Sequence, residues 1–338
     1  MHEGTSPGPA LVTGATGFIG RRLVARLLAG GRAVRALALP GESVEGCWPG
    51  PVEVFRGDVR DRAAVEAAVT GAAVVLHLAA VVGDWGRESL YQAVTVEGTR
   101  NVLGAAAAAG ARVVLVSSVT VYGDAIGSDV CDEDHPFGKP QGPYGRAKQA
   151  QERIARELEA AAGLRVTIVR PTNVYGPGSR PWVDDLSAHL RRGLPSLFGD
   201  GEQNAGLAYV DNVADLLALA AYHPAAVGRV YNANDDLDVS WRRYFTDLTA
   251  AIGAPAPRAI PAPLARVGAV LNEGLWRLLG IWESRPPITR EAVNLVGSHH
   301  RVPGARARAE LGWAPRVGYE EGLAAVLAYL GGSDAAKG

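Results

Sequence analysis

Tyr144 and Lys148 are the residues of this 338-residue chain whose types and spacing point most directly to chemistry. The segment Tyr144-Gly145-Arg146-Ala147-Lys148 opens a helical pattern, and a separation of four puts both side chains on one face. An ammonium beside a phenol favours the phenolate, so the tyrosine pKa is expected to fall below its usual value of about 10. A phenol tuned that way acts as general base toward an alcohol or general acid toward a ketone. Ser118, in Ser117-Ser118-Val119-Thr120-Val121-Tyr122-Gly123, offers a hydroxyl to hold the same substrate oxygen. Such a Tyr/Lys spacing recurs by accident on exposed helices, but the composition argues against accident. Of 34 basic residues only Lys139, Lys148 and Lys337 are lysine, so an ordinary surface cation here is arginine. Arginine, with its planar head and high pKa, does not replace lysine in tuning a phenol.

These side chains need a scaffold. Apolar runs at 10–13, 33–39, 52–55, 74–78, 112–117 and 165–169 predict strands. Helical spacing at 18–28, 63–69, 90–109 and 144–161 separates them. That alternation predicts βαβ units, hence a parallel, doubly wound α/β sheet with right-handed crossovers. After Pro171 the chain becomes rich in Pro and Gly. Its apolar patterns then predict amphipathic helices at 184–192, 214–222, 241–252, 264–279 and 320–330, with a single late strand at 229–233. The expected division is a nucleotide-binding unit over 1–178, to which 206–234 returns. A smaller, mostly helical substrate-binding region comprises 179–205 and 235–338.

Gly14-Ala15-Thr16-Gly17-Phe18-Ile19-Gly20 stands between the first strand and the first helix. Glycines there allow a sharp turn and close approach of backbone to a pyrophosphate, which the helix N-terminus then holds. The spacing is GxxGxxG, and its position gives it weight in a chain with 42 glycines. This is the fingerprint of a Rossmann dinucleotide site, and Gly14, Thr16, Gly17, Phe18 and Ile19 are its expected contacts. Asp58 and Val59 follow the third strand, where the carboxylate can accept from an adenine amino group. Leu78, Ala79 and Ala80 end the fourth strand with small residues that leave room for the cofactor. His77 reads as a packed, hydrogen-bonded strand-end residue rather than a base. No acidic side chain stands at 37–40 to hold a ribose hydroxyl, and no arginine there suits a 2′-phosphate. NAD is preferred over NADP, because an unpaired phosphate costs more than a solvated hydroxyl.

Formal net charge is −1 with arginines scattered, which points away from nucleic acid and anionic membrane surfaces. Cys47 and Cys131 lie far apart without a metal-type spacing, and read as reduced thiols. His299-His300 lacks acidic or cysteine ligands nearby, so no metal is expected. Residues 1–9 lack the basic and apolar regions of a secretory signal, and 264–282 is broken by Arg266, Glu273 and Arg277, so no membrane span is expected. A cytoplasmic location follows from these readings.

Eight segments in order resemble the extended (atypical) short-chain dehydrogenase/reductase family over the whole chain. They are 13–20, Gly57-Asp58-Val59, 77–80, 117–123, 144–148, Arg170-Pro171-Thr172-Asn173-Val174-Tyr175-Gly176-Pro177, Tyr209-Val210-Asp211-Asn212-Val213-Ala214 and Glu310-Leu311-Gly312-Trp313-Ala314-Pro315. The resemblance implies that Ser118, Tyr144 and Lys148 are the catalytic set. It implies further that Ser117, Tyr144, Lys148, Pro171, Asn173 and Val174 adjoin the nicotinamide, and that helices near 90–109 and 144–161 pair in a homodimer. Relatives that remove water from sugar nucleotides carry Asp-Glu after the catalytic Ser or Thr, whereas Val119-Thr120 stands here. Sugar-nucleotide epimerases place an arginine shortly before the Tyr-Val-Asp motif, and 199–208 has no basic residue, although Arg180 or Arg308 could reach in. A non-catalytic nucleotide sensor would lose Tyr144 or Lys148. The pattern through Pro181-Trp182-Val183 and Pro286-Pro287-Ile288-Thr289-Arg290 resembles the 3β-hydroxysteroid dehydrogenase and dihydroflavonol-reductase-like branch. The implied substrate is an apolar, steroid-like or polycyclic alcohol or ketone, contacted by Val82, Trp85, Ser118, Tyr144, Asn173 and Trp182. A stripe of Leu264, Val267, Leu271, Leu275, Leu278 and Trp282 reads first as packing on the core of the second region, with a substrate-pocket wall, a lid or a membrane-surface contact as the other readings.

Overall fold

Strands buried on both faces read as apolar runs, and the inner strands of the central sheet of this chain are built that way. The computed structural model describes residues 8–335; the remaining terminal positions, Lys337 among them, lie outside the described residues. In chain order the strands are β1 (Ala10–Thr13), β2 (Val34–Ala38), β3 (Glu53–Arg56), β4 (Val74–His77), β5 (Arg112–Val116), β6 (Val166–Pro171), β7 (Asn173–Tyr175), β8 (Pro195–Phe198), β9 (Leu207–Tyr209), β10 (Val230–Ala233) and β11 (Arg258–Ile260). Seven of them form one parallel sheet in the order β10-β6-β5-β4-β1-β2-β3. Helices α1 (Phe18–Ala29), α2 (Arg62–Val69), α3 (Glu88–Leu90), α4 (Gly98–Ala108), α5 (Pro143–Ala162), α6 (Asp185–Arg191) and α7 (Val210–Tyr222) follow their strands. Leu23, Val24 and Leu27 of α1 join α7 in the core on one face; α2, α4 and α5 cover the other. The later helices are α8 (Trp241–Ala251), α9 (Ala262–Leu278), α10 (Arg290–Val296), α11 (Ala305–Leu311) and α12 (Tyr319–Ala335).

Four departures from the sequence reading have physical causes. The helix expected over 90–109 is not one regular α-helix: α3 passes into a wider π-helical segment, Tyr91–Glu97, before α4. That widening lets Thr95 accept from the Val81 N–H (3.0 Å) and Tyr91 donate to the Gly83 carbonyl (2.8 Å). The helix expected at 184–192 is likewise preceded by a π-helical turn, Arg180–Asp184. The single late strand has company, since β7 pairs with β9 and β8 with β11 in two small parallel sheets. Each of these strands has only three or four residues, too few to show a period. Finally, the apolar stripe of α9 does not pack inward. Leu264, Val267, Leu271, Leu275 and Leu278 are exposed, and Ala265, Ala269 and Glu273 form the buried face.

Two buried polar arrangements brace the strand ends that matter below. Arg170 on β6 makes a two-pronged ion pair with Glu152 on α5 (2.9 and 2.7 Å), with both side chains at most 5% exposed. Ser117 donates to the same carboxylate, and Arg170 also donates to the Tyr122 hydroxyl (2.9 Å), which donates to Asn232 of β10. His77, at the end of β4, is sealed between Thr13 (2.7 Å) and Thr99 (3.0 Å). The Thr99 hydroxyl gives its proton to the Thr95 carbonyl, so it accepts from Nε2–H, and Nδ1 accepts from Thr13. His77 is thus a neutral structural residue, as its sequence position suggested.

Both arrangements make predictions for stability. Arg170→Met strands a buried carboxylate and should lower unfolding free energy by about 3–5 kcal/mol in urea titrations. Burial drives the His77 pKa from 6.5 to about 3, with the Lys148 charge adding to the effect. The unfolded chain therefore takes up this proton first as pH falls. The stability supplied by the neutral ring is complete above pH 6.5 and drains away toward pH 3. His77→Gln should flatten the acid-side loss of stability between these pH values, by up to about 1.4 kcal/mol per pH unit.

Candidate active site

All strands of the main sheet run the same way, so the segments that follow β1, β4, β5 and β6 gather at one edge. The glycine loop follows β1. Gly14 takes φ +68°, and a Cβ there would stand 3.0 Å from the Ala79 nitrogen, so the loop lies directly on Leu78 and Ala79. A side chain at Gly20 would meet the Gly14 carbonyl at 2.1 Å, which fixes how tightly α1 seats on the loop. Gly17 is the N-cap of α1 and brings no side chain to the first free N–H groups. Those donors and the bare backbone of Thr16 and Gly17 fit a pyrophosphate. Phe18 and Ile19 turn into the core behind them, and Trp48 donates to the Ala15 carbonyl (3.2 Å) from the β2–β3 connection.

Past β5 the chain makes a tight 3₁₀ turn over Val119–Gly127, and Ser118 caps it by accepting from the Thr120 N–H (3.2 Å). Gly123 reverses the chain at φ +52°, where a Cβ would lie 2.2 Å from the Lys139 carbonyl oxygen. The returning segment reaches Gly142 and Pro143, which start α5, and Tyr144 lies in its first turn. Pro143 suits that position because its missing N–H has no helical partner there in any case. One turn on, Lys148 Nζ lies 5.5 Å from the centre of the Tyr144 ring and donates to the Val116 carbonyl (2.9 Å). The Ser118 hydroxyl is close enough to the phenol to draw its pKa down. Ser118, Tyr144 and Lys148 are therefore assembled at the end of β5, beside the glycine loop and the end of β4.

The electrostatics differ from the sequence expectation. Burial pushes the Tyr144 phenol above its ordinary range; the bond from Ser118 opposes this and the charge of Glu291 adds to it. Burial also takes Lys148 down to about 7, opposed by Glu152, so this ammonium holds its proton weakly near neutral pH. Removing the pair from water outweighs the attraction that the spacing alone suggested.

The other expected contacts fall in several places. Asp58 is held low in pKa by its hydrogen bond to Arg60, which also pairs with it at 2.7 Å, and only partly faces the cleft. Asn173 is buried and donates to the Ala205 carbonyl (2.7 Å), with Pro171 and Val174 flanking it on β6 and β7. Ala80 is half-buried beyond β4, and Val82 is exposed. Trp85 stacks on Trp282 (5.4 Å, 14°) and donates to the Ile281 carbonyl, joining the loop after β4 to the end of α9. Trp182 packs on Trp241 (5.0 Å) within the second region.

Sequence reasoning missed three groups. Glu42 accepts from the Leu39 N–H (3.2 Å), and Arg56 donates to the Leu39 and Glu42 carbonyls, so an acid and a base both stand at the end of β2. Both lie outside residues 37–40, where an acid or an arginine is expected to choose the cofactor. Asp84 is gripped by Arg285 (2.6 Å) and Thr289, tying the loop after β4 to the start of α10. Glu291 sits buried against Gly142. Nothing local in the sequence marks it, since Glu291 is an ordinary first-turn residue of a short helix.

Comparison with known proteins agrees with this geometry. The model of the NAD dependent epimerase/dehydratase family matches residues 10–233. The chain is 34% identical to a 2-alkyl-3-oxoalkanoate reductase of Stenotrophomonas maltophilia, covering 93% of this chain and 96% of that one. It is 28% identical to a 3beta-hydroxysteroid-dehydrogenase/decarboxylase (isoform 1) of Arabidopsis thaliana, over 93% of this chain and 77% of the relative. Among solved structures, MoeE5 in complex with UDP-glucuronic acid and NAD superposes with a TM-score of 0.75 at 29% identity, over 96% of this chain and 100% of that one. The strand order, the glycine loop and these matches lead to one assignment: the chain belongs to the NAD dependent epimerase/dehydratase family.

Proposed function

We propose that this protein is an oxidoreductase that interconverts a secondary alcohol and a ketone on an apolar small molecule, with NAD preferred to NADP. The observation that carries this reading is the assembly of Ser118, Tyr144 and Lys148 beside the glycine loop. A bound nicotinamide supplies or takes the hydride. In the reducing direction Tyr144, kept protonated by burial, gives its proton to the carbonyl oxygen while Ser118 holds that oxygen in line. Lys148, anchored on Val116, stands one turn behind and offers the phenol a replacement proton.

Several features favour this over other reactions. Val119-Thr120 after Ser118 provides no acid for loss of water. The stretch 199–208 provides no cation for a nucleotide diphosphate, and Arg308 is bound to Asp236. The Trp85–Trp282 stack beside the loop after β4 offers an apolar wall, and the named reductase and steroid dehydrogenase relatives are consistent with an apolar substrate. Glu42 at the end of β2 is the acid available to a ribose hydroxyl. The same reading includes a homodimer through the faces of α4 and α5.

The test is nicotinamide absorbance with NAD(H) or NADP(H) against 2-alkyl-3-oxo acids, 3β-hydroxysteroids, UDP-glucose and UDP-galactose. Reduction or oxidation of the apolar compounds is expected, and Tyr144→Phe should slow it about 10²–10⁴-fold while cofactor affinity stays unchanged. Interconversion of the sugars with no turnover of the apolar compounds would establish an epimerase instead.

A further inference from the structure

Glu291 comes from the second region of the chain, in the first turn of α10, yet its carboxylate faces the start of α5. A Cβ on Gly142 would lie 2.1 Å from Glu291 Oε2, so a side chain at the N-cap of the helix that carries Tyr144 would have to displace the Glu291 carboxylate. That oxygen is buried and has no hydrogen-bond partner, and neither has Thr120 Oγ1. Both residues, with Gln141 and Asn294, line one cavity of about 10 Å³, room for a single water molecule. Thr120 is two residues from Ser118 and donates its N–H to that side chain. The unpartnered acid is therefore built into the wall of the catalytic centre.

A buried carboxylate ordinarily finds a cation, and here the neighbouring arginines are paired with other carboxylates. Arg146 of α5 is clamped on Glu88 (3.1 and 2.6 Å). Arg285, before α10, is clamped on Asp84 (2.6 Å for both contacts). Arg290 and Arg277 both bind Glu273 of α9 (2.9 and 2.8 Å). The groups whose charges act on Glu291 include Asp84 and Glu273, which disfavour its ionisation, and Arg146 and Arg285, which favour it. Tyr144 lies two residues beyond Gly142 in the first turn of α5, and the charge of Glu291 disfavours ionisation of Tyr144 and of Tyr91 in the π-helical segment. Burial is the largest influence and, with the two carboxylates, lifts its pKa to about 8.

Resting on the alcohol–ketone reading above, we propose that Glu291 is a proton-holding residue of the site that acts through Tyr144. Its charge sets the pH window in which the phenol gives up its proton. The uncharged carboxyl leaves the phenol free to ionise, and the carboxylate, once formed, holds the phenol's proton in place. The consequence is a site that keeps its proton donor, and with it carbonyl reduction, to higher pH. Alcohol oxidation, which needs the phenolate, is displaced upward to the same extent.

The experiment compares wild type with the isosteric Glu291→Gln variant. The pH profiles of kcat should differ in one way: the limb governed by Tyr144 falls by about one pH unit in the variant, in both reaction directions. A second measurement needs no substrate. With tyrosine labelled at ¹³Cζ, the Tyr144 resonance, assigned by its loss in Tyr144→Phe, should show an inflection near pH 8 in wild type that is lost in Glu291→Gln, where only the titration of the neighbouring Lys148 near pH 7 remains. Superimposable profiles, or a wild-type Tyr144 resonance blind to pH around 8, overturns the proposal. Should wild type turn over no alcohol or ketone, the reaction assigned above fails, and the resonance alone decides whether Glu291 and Tyr144 are coupled.

Discussion

The guanidinium of Arg170 lies almost wholly out of water, and Glu152 meets it with both carboxylate oxygens. Taking two charges out of solvent is expensive, and an apolar pair of the same volume often serves stability as well. What the ion pair contributes is position. It fixes α5 along its axis against β6, and Ser117 and Tyr122 bind the same two groups. Helix register then determines where Tyr144 and Lys148 stand, and Ser117 determines where Ser118 begins its turn. An apolar contact would permit sliding by part of a turn, which would separate the phenol from the serine hydroxyl. The buried face of α5 accordingly carries polar groups beside Ala147, Ile154 and Ala155: Lys148, Gln149, Gln151 and Glu152 are shut away from water and each donates or accepts a hydrogen bond.

Much of this was legible beforehand because the relevant signals are local. Strands covered on both faces are mostly apolar, so β1, β4, β5 and β6 show themselves as runs, with Arg170 of β6 the marked exception. The glycine loop is legible because each of its conformations needs a missing side chain. Lys148 stood out by chemical economy, in a chain where arginine fills nearly every cationic position. These are properties of a few consecutive residues, and composition cannot hide them.

What the sequence concealed depends on contacts between distant segments. The stripe on α9 has the period of a core helix, and periodicity records which face is apolar without recording what meets it. The π-helical segment before α4 is set by Gly83 and Val81 across the loop, and its own residues are unremarkable helix formers. The pKa of Tyr144 was misjudged in sign for the same reason. Spacing reveals the ammonium nearby, whereas the depth of burial belongs to the assembled molecule. Glu291 is the extreme case, an acid without a partner because its neighbouring arginines are used up by three other carboxylates.

The glycine at the start of α5 carries a further meaning for how the chain folds. Helices commonly begin with a Ser, Thr, Asp or Asn whose side chain satisfies a free N–H, and here that space is taken by Glu291. The helix bearing Tyr144 thus has its N-terminal surroundings completed by a residue contributed from far along the chain. The start of α5 and the first turn of α10 complete one another, so the reactive end of this molecule is shared between the sheet and the helices that close over it.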